Sequence, residues 1–217
     1  PVPSPEAGLV ARFDFATWDG RPGITTLDDR CRVWIADFGT AATLDGRRAL
    51  VSPPAPPLVV TSGPGGVDIN MTRGSGRVPV KLHFLKLRDP EFTVGLWFRS
   101  DTGDGRLFGK QGLTAFGKSY KTVSVSVGGE RLRADPGRLT GGKIEAGRWY
   151  HAVLSATPTR LALYLDGQLV SEGPGAPGLS TDSLDLLADH PGALGEARIY
   201  NRELSAADVT QWFDSSK

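Results

Sequence analysis

The strongest constraint in this sequence is a period of two. Short segments alternate apolar and polar residues, and Gly or Pro breaks in between them. In residues 9–15, Leu9, Ala11, Phe13 and Phe15 fall on one side, with Arg12 and Asp14 on the other. Residues 92–99 set Phe92, Val94, Leu96 and Phe98 on one side and Trp97 opposite, and 121–127 do the same with Val123, Val125 and Val127. Successive side chains of a strand point to opposite faces, so each segment predicts a strand with one face on a core. Residues 31–35, 57–61, 80–84, 149–156, 160–165 and 195–200 add further strands, and 105–109 with 112–117 read as a Gly-punctuated hairpin. Asp166-Gly167 is a two-residue hairpin turn leading into Gln168. The Pro-rich stretch 52–57 is a loop or an edge, because Pro cannot donate to a ladder; 63–66 and 73–77 are turns. The 28 Gly and 16 Pro residues are therefore spent on many reversals of the chain. Many short strands with turn signals between them predict an all-β fold, a two-sheet antiparallel sandwich or a barrel.

One helix interrupts the pattern. Ser205 can cap it, Asp208 stands three residues on, and Val209, Trp212 and Phe213 have helical spacing. Residues 205–213 are too few to be stable alone, so this short C-terminal helix must dock on a sheet.

The net charge of +1 argues against a dedicated nucleic-acid binder. It hides an asymmetry. Residues 106–148 hold nine Lys/Arg against three Asp/Glu, and 149–217 hold four against nine. Two solvated faces account for this; so does a basic groove for an anionic polymer. Cys31 is the only cysteine, so no intrachain disulfide forms, and it reads as a small buried hydrophobe. No apolar run is long enough to span a membrane. Residues 1–7 read as a linker remnant and 8–217 as a single domain.

Four segments carry a family resemblance: GLVARFDF (8–15), FTVGLWFRSD (92–101), GRWYHAVLSATPTRLALYLDGQLV (147–170) and LGEARIYNRELSAADV (194–209). They resemble the bacterial form of the laminin-G-like, concanavalin A-like lectin/glucanase jelly roll. They also follow that family's order, from opening strand to closing strand. The resemblance implies a jelly-roll sandwich, with an insertion within 16–91, where the sequence resembles nothing in the family. It further implies a structural calcium between the first and last strands. Asp14 and Glu196 would be its carboxylate ligands, with Glu196 standing where Asp is more usual. Hard oxygen donors suit that ion. The alternative is that both acids are solvated, or that Asp14 pairs with Arg198.

Other candidates come from residue type. Arg106, Lys110, Lys118, Lys121, Arg131 and Arg133 form a basic cluster containing Tyr120. Arg grips carboxylates and sulfates bidentately, while Lys acts as a point charge. Trp18, followed by Asp19-Gly20, and Tyr120 are the aromatic candidates for stacking on a sugar ring. Trp97, Trp149 and Trp212 are expected in the core, and Trp34 is undecided. His83, His151 and His190 have no metal-ligand spacing, and His151 is expected to hold a backbone carbonyl inside the core. No Glu-x-Asp-x-x-Glu run is present for glycoside hydrolysis, and Tyr150 and His151 are adjacent, so on a strand they point apart.

The resemblance then implies a non-catalytic carbohydrate-binding accessory module of a larger exported protein, secreted, periplasmic or on a cell surface. Its partners would be a polysaccharide, an anionic one if the basic cluster forms the groove, and neighbouring domains of its parent chain, with no membrane or nucleic acid. A structural or protein-interaction module is the alternative, and a jelly-roll polysaccharide-active enzyme a third reading.

Overall fold

The computed structural model describes residues 7–15, 20–21, 23–28, 31–35, 40–52, 80–83, 91–101, 104–109, 114–115, 118–119, 123–136, 138–175, 183–187 and 190–217; at 13, 23–28, 31–35, 40, 52, 80–83, 114–115, 118–119 and 183 it describes the backbone alone. The strands are β1 (Leu9–Asp14), β2 (Gly23–Asp28), β3 (Cys31–Ile35), β4 (Thr40–Leu44), β5 (Arg47–Ser52), β6 (Val80–His83), β7 (Phe92–Ser100), β8 (Gly105–Gly109), β9 (Thr114–Ala115), β10 (Lys118–Ser119), β11 (Ser124–Val127), β12 (Arg131–Asp135), β13 (Leu139–Lys143), β14 (Trp149–Ala156), β15 (Arg160–Leu165), β16 (Gln168–Pro174), β17 (Ser183–Leu186) and β18 (Gly192–Tyr200). One helix, α1 (Ala206–Ser215), follows. The expected strand at 57–61 and the turns at 63–66 and 73–77 lie outside the described residues.

The chain is the expected all-β antiparallel sandwich with one short C-terminal helix. The first sheet runs β16-β15-β14-β7-β18-β5-β4, and β1 pairs with β18 beyond the point where β5 leaves it. The second runs β13-β12-β11-β8-β17-β6-β3-β2. Five described strands from the 16–91 region belong to these two sheets. Between the sheets lies a core that includes Phe15, Leu50, Leu96, Phe98, Phe108, Val125, Leu132, Leu154, Leu163 and Ile199.

Alternation explains these choices. β11 buries Val125 and Val127 and leaves Ser124 and Ser126 half-buried; β12 buries Leu132 and Ala134 and exposes Arg131, Arg133 and Asp135. The first sheet breaks the alternation because it is covered on both sides. Val153, Ala162, Tyr164, Tyr200, Leu204, Val209 and Trp212 form a second apolar cluster on its outer surface, under α1. Hence Trp97, opposite the core-facing Phe98, is also only 5% exposed. α1 carries the expected capping box between Ser205 and Asp208. Gly95 lets the helix seat: a Cβ there would stand 2.7 Å from the Trp212 ring.

Two expectations need correction. Residues 105–109 do not pair with 112–117; β8 pairs with β11 and β17, where Phe108 meets Val125 and Leu186 on the core side. The small β9–β10 hairpin lies between them in sequence. In β1, a register shift between Leu9 and Ala11 puts Val10 against the main core and sends Leu9 to the helix side.

Candidate functional site

The two outer surfaces differ. That of the first sheet is roofed by α1. That of the second carries polar rows set by strand register. In one row, Arg106 of β8 and Arg133 of β12 flank Ser126 of β11. In the next, Asp135, Ser124, Gly109 and Asp185 follow one another across β12, β11, β8 and β17. Gly109 and Ser124 are small, and the Arg106 side chain fills the dip: its Cδ is 2.9 Å from where a Gly109 Cβ would stand. The Arg133 guanidinium lies against the Gly128-Gly129 turn, with Nε 3.1 Å from a Gly128 Cβ position. That turn is pinned by Asp104, whose Oδ1 accepts from Gly129 N–H at 2.8 Å. Arg106 Nε is buried without a hydrogen-bond partner among the described residues, and Asp185 is buried at the end of the next row. Orphaned buried polar atoms cost stability, and in a native fold they mark strain or a place where water or a ligand belongs. A sugar hydroxyl both donates and accepts, so it complements a guanidinium and a carboxylate alike.

Of the basic cluster read from sequence, Arg106, Arg131 and Arg133 share this face; Arg131 is exposed and pairs across strands with Lys143. Lys118 begins β10, and its side chain, with Trp18, Lys110, Tyr120 and Lys121, lies outside the described residues. Ser124 and Ser126 were missed as site residues, although their place between three valines announced an outward face. Asp185 was missed because Ser183–Leu186 was not recognised as a strand.

The first and last strands do bring Asp14 and Glu196 together as Cα partners. Glu196 is 5% exposed, and its Oε1 accepts from Arg12 Nε at 2.9 Å and Arg198 Nε at 2.8 Å. Its Oε2 is 3.5 Å from Trp212 Nε1. Residues two apart on a strand share a face, so Arg12 stands with Asp14 and Arg198 with Glu196, and antiparallel register sets the two arginines side by side. Calcium seeks six to eight oxygens. The carboxylate expected to supply some of them is committed to guanidinium groups, so these residues do not fit calcium. Among the described residues no group of three His, Cys, Asp or Glu is placed to hold a metal.

His151 also differs from expectation. It does not hold a carbonyl: neither ring nitrogen has a hydrogen-bond partner. The ring sits among Trp97, Trp212 and Phe213, at centroid distances of 5.3, 4.5 and 6.0 Å. Burial, then the charges of Arg198 and Arg47, push its pKa down to about 3, so it is neutral. Trp149 is only half-buried, and its Nε1 donates to Leu44 O at 3.1 Å.

Two antiparallel sheets packed face to face, one of them roofed by a short helix, form a jelly-roll sandwich. Residues 74–210 match the model of the concanavalin A-like lectin/glucanase superfamily, laminin-G type, and the chain belongs to that family. No curated protein matches the sequence. Among solved structures, the chain is similar to Trypanosoma rangeli sialidase in complex with the inhibitor DANA, at 18% identity and TM-score 0.64, covering 98% of this chain and 33% of that one. It therefore spans a third of the sialidase. Domain 4 of AbnA, an extracellular GH43 arabinanase of Geobacillus stearothermophilus, in complex with arabinotriose, matches at 18% identity and TM-score 0.57 over 94% of this chain and 98% of that one. The receptor-binding domain of botulinum neurotoxin type G matches at 9% identity and TM-score 0.61, over 96% and 51%. At these identities the likeness is one of fold.

Proposed function

We propose that this domain is a non-catalytic carbohydrate-binding accessory module of a larger exported protein, taking a polysaccharide on the outer face of its second sheet and preferring an anionic one. The observation that carries the reading is the Arg106–Ser126–Arg133 row beside the Asp135–Asp185 row, on the sheet that α1 leaves uncovered. Guanidinium groups, hydroxyls and carboxylates at strand spacing suit a hydroxyl-rich chain lying flat, and with the exposed Arg131 the described side chains of this face number three Arg against Asp135 and Asp185, which favours uronate or sulfate units. The match over nearly its whole length to domain 4 of an extracellular arabinanase, in complex with arabinotriose, supports an accessory role.

Distance supports the absence of catalysis. Asp135 and Asp185 are three strand spacings apart, ~14 Å between backbones, whereas glycosidase carboxylates stand ~5–9.5 Å apart. His151 and His190 are enclosed, at 0% and 1% exposed.

Affinity electrophoresis in gels of pectate, sulfated dextran and neutral arabinan tests the reading. The protein should be retarded most by an acidic gel, less at high salt, and the Arg106→Gln/Arg133→Gln pair should lose most of that retardation. Retardation unchanged by the pair, or product release from any of the three polymers, refutes it.

A further inference from the structure

We propose that the groove between the β1–β18 ladder and the last turns of α1 is an anion-binding site. Its ligand would be the carboxylate or sulfate group of an acidic saccharide, received where the family resemblance implied a calcium ion. This site lies on the sheet opposite to the proposed glycan face and does not depend on that reading.

Two cavities form the groove, of about 220 and 480 Å³, and Arg12, Arg198 and Ser215 line both. Among the described residues six cations line them together, Arg12, Arg47, Arg48, Arg198, Arg202 and Lys217, against the four carboxylates Asp14, Asp45, Glu196 and Asp208, with Asp214 paired to Lys217 just outside. The central pairing does not cancel this excess. Arg12 and Arg198 place their Nε atoms on the same Glu196 oxygen, with Asp14 as the Cα partner of Glu196 alongside. A divalent cation entering here meets a site already over-supplied with positive charge, while an oxyanion completes it.

The guanidinium groups are held in place before any ligand arrives. Arg198 lies over the Trp212 ring at 5.0 Å, and Arg202 over Tyr200 at 5.9 Å. Arg47 lies over Trp97 at 4.2 Å and donates from Nη2 to Ser216 O at 2.8 Å, closing the carboxyl end of α1, whose last turn has no basic residue of its own. Fixed guanidinium groups lose little entropy on gripping an anion. The smaller cavity also has an apolar floor of Leu9, Leu204 and Trp212 and two neutral hydrogen-bonding groups, Gln211 and Ser215. Apolar surface with a few placed polar groups suits the two sides of a sugar ring. At about 220 Å³ the cavity is smaller than the ~300 Å³ at which drug-sized sites begin, which matches one sugar unit, with the larger cavity taking the continuing chain.

The test follows the Trp212 indole N–H resonance of the whole domain, assigned with Trp212→Phe, during titration with trigalacturonate, a sulfated trisaccharide, maltotriose or calcium chloride. Either acidic probe should shift it, the tighter of the two naming the group, and maltotriose and calcium should not. Arg12→Gln with Arg48→Gln should weaken binding about tenfold or more, while Arg12→Lys should keep most of it and Arg106→Gln/Arg133→Gln should leave it unchanged. Melting curves of each variant show that the fold is kept. The proposal is overturned if neither acidic probe shifts the resonance, if binding survives the Arg12/Arg48 pair, if the Arg106/Arg133 pair abolishes it, or if calcium raises Tm and a chelator reverses the rise.

Discussion

Acid should weaken this domain through one side chain. His151 is 0% exposed, and its ring nitrogens have no partner. Its pKa falls from 6.5 to about 3, first through burial and then through Arg198 and Arg47. Between those values the unfolded chain binds a proton that the folded chain does not. The stability His151 allows is therefore complete above pH 6.5 and is lost as pH falls toward 3. At pH 4.5 the gap is two units below the unfolded value, and at pH 7 almost nothing, so acidification removes on the order of 2–3 kcal/mol through this residue. Replacing His151 by Leu removes the titration and abandons no hydrogen bond. Carboxylates and His190, whose pKa burial lowers to about 4, titrate equally in both proteins and cancel. Urea unfolding at pH 7.0 and 4.5 should then show His151→Leu gaining roughly 2–3 kcal/mol on the parent between the two pH values, several degrees in Tm for a chain of this size. Parallel pH profiles for the two proteins would refute the reasoning, because they would mean that the ring reaches water or a partner in the fold.

Two further substitutions probe how α1 is held. Gly95→Ala sets a methyl group 2.7 Å from the Trp212 ring and from Val153, so it should cost ~1–3 kcal/mol by overpacking and red-shift tryptophan emission as the helix lifts; unchanged stability and emission would refute the seating. Ser155→Ala should cost ~1–3 kcal/mol. Its hydroxyl lies 2.9 Å from Thr93 Oγ1, donates to Leu204 O and accepts from Leu204 N–H, all of them buried; a neutral outcome in urea melts would show that this network does not fasten the helix's leading segment.

Where one strand's pattern suffices, the sequence was legible. Asp166-Gly167 reads as a tight turn, and both residues do take positive φ, 50° and 79°. The same dipeptide at Asp45-Gly46, with φ of 50° and 80°, turns β4 into β5 and went unread. Its flanks, Thr40–Leu44 and Arg47–Ser52, lack clean alternation, and the adjacent Ala49 and Leu50 are both buried, Leu50 in the core between the sheets. Partners distant in sequence also decided the site. His151 is caged by a helix that begins 55 residues later in the chain. Glu196 became an arginine acceptor because register set Arg12 beside Arg198, a pairing that neither strand announces alone. The basic cluster was readable as composition, but the placing of its Arg106, Arg131 and Arg133 on one face needed the β8–β11–β12 register.

The acid response and the anion groove share parts, so one must influence the other. Trp212 covers His151 on one side and floors the smaller cavity on the other. Arg198 and Arg47 lower the His151 pKa by repulsion, and both line the groove. An oxyanion held by Arg198 opposes that repulsion and moves the folded-state pKa back toward its ordinary value. Reciprocity then requires protonation of His151 to favour the anion. A ligand of the groove should stabilise the domain more at pH 4.5 than its occupancy at pH 7 accounts for, and His151→Leu should remove that surplus while leaving binding at pH 7 intact. A surplus of equal size in the variant would mean that the anion and the histidine do not sense each other across Trp212.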